Sequence, residues 1–196
     1  VNANEIKAIV AEYWRFKRQC PVIAFEVTDY RLNESNSVAD VLTVLPNGTL
    51  VETEVKVSIP DLRRDRQKRK HTHWRRGPGR RGLAISPIRQ FYFALPADLA
   101  NEAAILCDSL FPYAGVLGVY DKDLHSHTDA VTVRRRARSL SDRKLSVLEI
   151  GRLVRAQSGT LCHLARVAAL ARVGERMLTG VDNNAATESA PARGPA

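Results

Sequence analysis

No apolar run in the 196 residues approaches the ~20 that a membrane-spanning helix needs, and the start of the chain has no apolar stretch of the signal-peptide kind. Cysteine is scarce: Cys20, Cys107 and Cys162 are odd in number and far apart, which argues against a disulfide framework and fits reduced thiols in a cytoplasm. There is no C-x-x-C, no H-x₃-H and no internal repeat, so zinc ribbons and solenoids are excluded. His71-x-His73 and His125-x-His127, even with Cys107 or Cys162, lack the spacing of a zinc site. Gly77-x-Gly79-x-x-Gly82 spells a dinucleotide fingerprint, but Pro78 lies inside it and neither a strand precedes it nor a helix follows. With 44% hydrophobic and 26% charged residues, the composition is that of a soluble globular protein.

Charge of one sign is what the chain has in excess. Thirty Lys and Arg against 21 Asp and Glu give +9. Ten basic residues and two aspartates fall between Asp61 and Arg81, so nearly the whole excess sits in one block. A concentrated block of this kind is the footprint of a phosphate-backbone binder, with a solvated basic surface as the alternative. Its candidate contacts are Arg63, Arg64, Arg66, Lys68, Arg69, Lys70, His71, Trp74, Arg75, Arg76, Arg80 and Arg81. Trp74 suits stacking on a base or covering a helix end.

The patterning predicts an α/β protein. Ile6, Ile9, Val10, Tyr13 and Trp14 recur at helical spacing over residues 3–18, with Asn4 as a cap. Strands are predicted at 22–28, 38–45, 49–57, 88–95 and 115–120, and 130–136 reads as a further strand or an extended basic segment. Ser58 and Asp61 form a capping pattern that opens a helix over 59–73, and further helices are predicted at 98–110, 145–156 and 161–177. This gives a central mixed sheet flanked by helices over residues 1–138, small C-terminal helices over 139–178, and a small, polar, disordered tail over 179–196.

The hairpin around Pro46-Asn47-Gly48 carries the chemistry. Leu50, Glu52, Glu54 and Lys56 alternate onto one face of its second strand, and the valines take the other. A two-residue turn puts Asp40 opposite Val55, on the wrong face for Glu54. A three-residue loop, with Pro46 and Asn47 in a type I turn and Gly48 left-handed, puts Asp40 opposite Glu54 at about 4.5–5.5 Å between Cβ atoms. Two such carboxylates repel unless a cation lies between them, and Mg²⁺ is often held by one or two carboxylates plus a substrate phosphate. Lys56 reaches the same spot.

These residues resemble the PD-(D/E)XK nuclease superfamily, with its restriction-endonuclease-like core, and within it the MmcB-type and phage-encoded branch. The resemblance runs over residues 3–120. It rests on Asp40, Glu54-Val55-Lys56-Val57-Ser58, Asp61 with Asp65, the basic run Arg66 to His71, and Phe91 to Pro96. It implies a Mg²⁺- or Mn²⁺-dependent nuclease that cleaves DNA, with Asp40 and Glu54 as metal ligands, the Val55 carbonyl as a third, and Lys56 as the catalytic cation. The family often adds a glutamate from the first helix, for which Glu5 is favoured over Glu12. Ala39 replaces the proline of the family name, Val38 replaces an arginine common in this branch, and the RRGPGRRG loop looks like extra length. The alternatives are a non-catalytic nucleic-acid-binding protein using the 61–81 block, and a partner-binding protein with an exposed charged strand. The sequence leaves the oligomeric state open, a homodimer included.

Overall fold

The structure, a computed structural model, describes residues 2–28, 38–68, 70–71, 74, 87–120, 129–158 and 161. The chain divides into two compact units, Val1–Val154 and Arg155–Ala196. In the second, residues 155–158 and 161 are helical. The rest of that unit, including most of the predicted 161–177 helix and all of the 179–196 tail, lies outside the described residues.

Helix α1 (Ala3–Glu12) begins at Asn2, whose side chain accepts from the backbone N–H groups of Asn4 and Glu5, while Glu5 reaches back to the Asn2 N–H at 2.7 Å. This reciprocal cap satisfies donors that the first turn leaves open, and it sits two residues before the expected Asn4. Ile6, Val10 and Ala11 form the buried stripe. The helix then widens into a π-turn, Tyr13–Lys17, which buries both Tyr13 and Trp14 and lets the Trp14 indole N–H donate to Thr53 Oγ1 at 3.3 Å.

Six strands follow: β1 (Val22–Thr28), β2 (Val38–Val44), β3 (Leu50–Val55), β4 (Ile88–Pro96), β5 (Gly115–Val119) and β6 (Val131–Arg135). They form one sheet in which spatial order equals chain order. β1, β2 and β3 are an antiparallel meander, β3, β4 and β5 run parallel, and β6 returns antiparallel. The parallel links need crossovers. The first contains α2 (Ile59–Asp65) and the second contains α3 (Ala100–Leu110).

Period-2 alternation separates two cores. Val41, Val51, Val55, Tyr92, Ala94 and Leu117 pack against Ile6, Val10, Tyr13 and Trp14 on one face. Leu42, Val44, Leu50, Phe91, Phe93 and Leu95 pack with Leu62 of α2 and Ala100, Ala103 and Cys107 of α3 on the other. The protein is therefore a mixed sheet flanked by helices on both faces, as the sequence predicts. Gly115 marks the tightest approach: a Cβ there would lie 2.3 Å from the Tyr92 ring and 2.8 Å from the Ala137 nitrogen.

Residues 139–154 belong to the first unit. The Leu140 N–H donates to the Arg89 carbonyl and the Leu145 N–H to that of Gly48, both at 2.8 Å. Helical residues 147–154 then follow a Ser146–Glu149 capping box and bury Leu153 in the second core.

Candidate functional site

The hairpin adopts the three-residue loop. Leu45 N–H donates to the Thr49 carbonyl at 2.8 Å, Gly48 N–H to the Leu45 carbonyl at 2.9 Å, and Gly48 has φ +82°. The register runs from Val44 opposite Leu50 to Val41 opposite Thr53, and Asp40 lies one residue past the last pair. On the other side of β3, Glu52 lies beside Phe91 and Glu54 beside Phe93. Glu52 and Glu54 thus share the face that carries the aromatic side chains of β4, while Asp40 meets Lys7 of α1.

Asp40 sits where the β2–β3 ladder ends. One carboxylate oxygen accepts from the Val55 N–H at 2.8 Å, and the other lies 3.2 Å from the Lys7 ammonium of α1, which also pairs with Glu26. Burial, and next the charge on Glu54, push the Asp40 carboxyl above the usual aspartate range. Glu26 holds a φ of 50°, a left-handed conformation that costs a non-glycine residue roughly 1–2 kcal/mol.

Glu54 is surrounded by ammonium groups. Lys56 lies 3.0 Å from Oε1, Lys68 contacts the same oxygen, and Lys70 contacts Oε2. Burial alone would raise the Glu54 pKa, but the charges of Lys70, Lys56 and Lys68 outweigh it and hold it low. Lys70 also reaches Glu52 at 2.9 Å and lies 5.2 Å over the Phe91 ring. Lys56 reaches Asp65 Oδ1 at 2.7 Å, as does Lys68.

The other oxygen of Asp65 accepts from His71 Nε2 at 2.5 Å, which leaves Nδ1 to accept from the Tyr113 hydroxyl at 2.6 Å. The ring is fully buried and edged by Trp74, Phe91, Phe93 and Phe111. Burial pulls the imidazole pKa down, against the opposing pull of Asp65, so His71 stays neutral. Asp65 itself is held far below the carboxylate range by the His71 hydrogen bond and by Lys56, which together overcome burial. Three carboxylates (Glu52, Glu54, Asp65) thus face three ammonium groups (Lys56, Lys68, Lys70), and the cluster is neutral.

The structure brings Asp40, Glu54, Val55 and Lys56 together and separates Glu5 from them. Glu5 is exposed and serves the cap of α1, and Glu12 is half-buried further along the same helix. The predicted 59–73 helix is interrupted, with residues 66–68 in a turn and residues 70, 71 and 74 helical again. α2 stops at Asp65, and the N–H groups of Arg66, Gln67 and Lys68 bond three residues back rather than four. The tightened turn steers the following residues onto β3 instead of into solvent. Lys70, His71 and Trp74, expected to face a nucleic acid, are buried as a consequence, because the acids of β3 and the aromatic core claim them. Arg63, Arg64 and Arg66 stay exposed. Arg69, Arg75, Arg76, Arg80 and Arg81 lie outside the described residues, as do His73, His125, His127 and Cys162.

Glu52, Asp65, Tyr113 and Lys7 carry no site role in the sequence reading. The E-x-E-x-K alternation is the local signal for Glu52. Tyr113 is 42 residues from His71, and Lys7 meets Asp40 from another element, so neither contact has a local pattern. Among the described residues no group of three or more His, Cys, Asp or Glu side chains is arranged to hold a metal ion. Nor is any described helix long and apolar enough to cross a membrane. Cys20 and Cys107 are buried free thiols, and burial pushes Cys107 up to about 12.

No family profile matches the chain, and no curated protein matches it. Among solved structures it is similar to the SPO1766 protein of unknown function from Silicibacter pomeroyi. The two are 18% identical, with a TM-score of 0.49, over 89% of this chain and 94% of that one.

Proposed function

We propose that the protein is a Mg²⁺- or Mn²⁺-dependent nuclease acting on DNA, built on a restriction-endonuclease-like core and working in the cytoplasm. The observation that carries this reading is the Asp40 carboxylate accepting from the Val55 N–H, next to Glu54, whose own carboxylate meets Lys56 just past the end of β3. The order of the Asp40 strand, the Glu54–Lys56 segment, α2 and the Phe91–Pro96 strand supports it, because the resemblance implies that order. So do the exposed Arg63, Arg64 and Arg66, which follow β3 directly.

The residues present fit a hard dication. Asp40 and Glu54 are oxygen ligands, and burial together with the charge of Glu54 raises the Asp40 carboxyl, a cost that a cation between them would relieve. Two carboxylates fall short of a closed cage, which suits an ion that keeps waters and takes a substrate phosphate. Such an ion, when bound, supplies an activated water and neutralises charge on the scissile phosphate. The protein's own part is positional. Asp65, locked by His71, holds the Lys56 ammonium at the end of β3, where it can orient water or stabilise negative charge on the phosphate.

A second reading is favoured by the neutrality of the cluster: every carboxylate in it has an ammonium partner, as in a purely structural ion network inside a DNA-binding module. Plasmid and oligonucleotide cleavage, with and without Mg²⁺ or Mn²⁺, separates the two. The nuclease reading requires metal-dependent cleavage that falls about 10²–10³-fold in Asp40→Ala and Lys56→Ala while Asp40→Ala still binds DNA. DNA binding without cleavage under any metal, unchanged in both variants, leaves the binding module.

A further inference from the structure

We infer that the Lys68 ammonium is a latch on Glu54 that a DNA phosphate draws away, so that the divalent ion and the DNA bind the site cooperatively. This rests on the nuclease reading. Glu54 has no oxygen to spare: Oε1 is shared by Lys56 and Lys68, and Oε2 is taken by Lys70. A dication that takes an oxygen of Glu54 must therefore displace one of these ammonium groups.

The three lysines are not equally free to move. The side chains of Lys56 and Lys70 are 6% and 3% exposed, and each is anchored from the interior by a second carboxylate, Asp65 and Glu52. Lys68 has 47% of its side chain in solvent, and it follows directly on the turn that ends α2. Swinging its ammonium outward opens no cavity, and Asp65, which it also contacts, keeps Lys56 and His71 as partners. Its departure leaves the three carboxylates one ammonium short, the dication makes up that deficit, and Lys68 is freed to contact a backbone phosphate. Each ligand therefore removes part of the cost of binding the other, and the coupling is reciprocal.

The test is Mn²⁺ binding to the full chain, read from the electron paramagnetic resonance signal of free Mn²⁺, with and without a short DNA duplex and corrected for the duplex alone. Lys68→Gln should bind Mn²⁺ alone about tenfold tighter than wild type and lose most of the affinity gain that the duplex confers. Lys68→Arg, which restores the charge, should return both toward wild type. If Mn²⁺ binds wild type and is lost in Asp40→Asn, yet Lys68→Gln binds it no tighter and keeps the duplex effect, the latch is overturned and the metal site stands. If no variant binds Mn²⁺ beyond the duplex control, the nuclease reading falls and the latch with it.

Discussion

Lys70 keeps a full charge with a side chain only 3% exposed, because Glu52 and Glu54 meet it inside the protein and raise its proton affinity against the pull of burial. Removing one member of a buried ion pair leaves the other without compensation, which costs about 3–5 kcal/mol. Lys70→Met keeps the side chain's length and should lower the urea midpoint by that amount at constant slope, and Glu52→Gln on top should recover part of the loss. His71 makes the complementary point about pH. Its folded pKa lies below the ordinary 6.5, so its contribution is fully present above that value. As pH falls through it, the unfolded chain takes up a proton that the buried imidazole does not, and stability declines toward the folded pKa. The urea midpoint of the wild type should therefore drop more between pH 7 and pH 5.5 than that of His71→Gln. Equal slopes would mean that the imidazole titrates alike in the folded and unfolded chains.

At the scale of elements, the hairpin loop shows how a single backbone angle holds a register. A Cβ on Gly48 would meet nothing closer than Lys144 Cβ at 3.8 Å, so the penalty of Gly48→Ala comes from φ +82° alone. It should cost about 1 kcal/mol in thermal or chemical unfolding, with Gly48→Asn costing less. That loop and the first five strands were legible in the sequence, because alternation and turn chemistry act between near neighbours: β1 spans the predicted 22–28, and β4 extends the predicted 88–95 by one residue. The end of α2 was not legible. Helical propensity runs on past Asp65, but Lys68 and Lys70 are drawn to acids 14 to 18 residues earlier, and no local pattern encodes that attraction. The same holds within the candidate site. Asp40, Glu54 and Lys56 follow from strand period and turn length, whereas Lys7 and Tyr113 enter from α1 and from the segment after α3. The π-turn over Tyr13–Lys17 likewise depends on seating Trp14 against Thr53.

At the scale of the molecule, the basic block is divided. Lys68 and Lys70 turn to β3, while Arg63, Arg64 and Arg66 remain outward. If these arginines neutralise duplex phosphates, changing all three to glutamine should reduce the log–log salt slope of DNA binding by about 0.9 per phosphate left unneutralised, with little effect on stability. An unchanged slope would place the phosphate-binding surface elsewhere. The agreement between strand order and chain order has a kinetic consequence. The β1–β3 meander can zip from its own short connections, but β4 joins β3 only after residues 56–87 have been gathered into a closed loop, the entropically slow step of assembly. Glu52 and Glu54 become enclosed when that closure is made, and Lys70, which answers them, is carried by the closing segment itself. The ion network then matures after the rate-limiting crossing. In stopped-flow chevrons, Lys70→Met should steepen the escape from the native state, raising the unfolding rate while leaving the refolding arm nearly where it was.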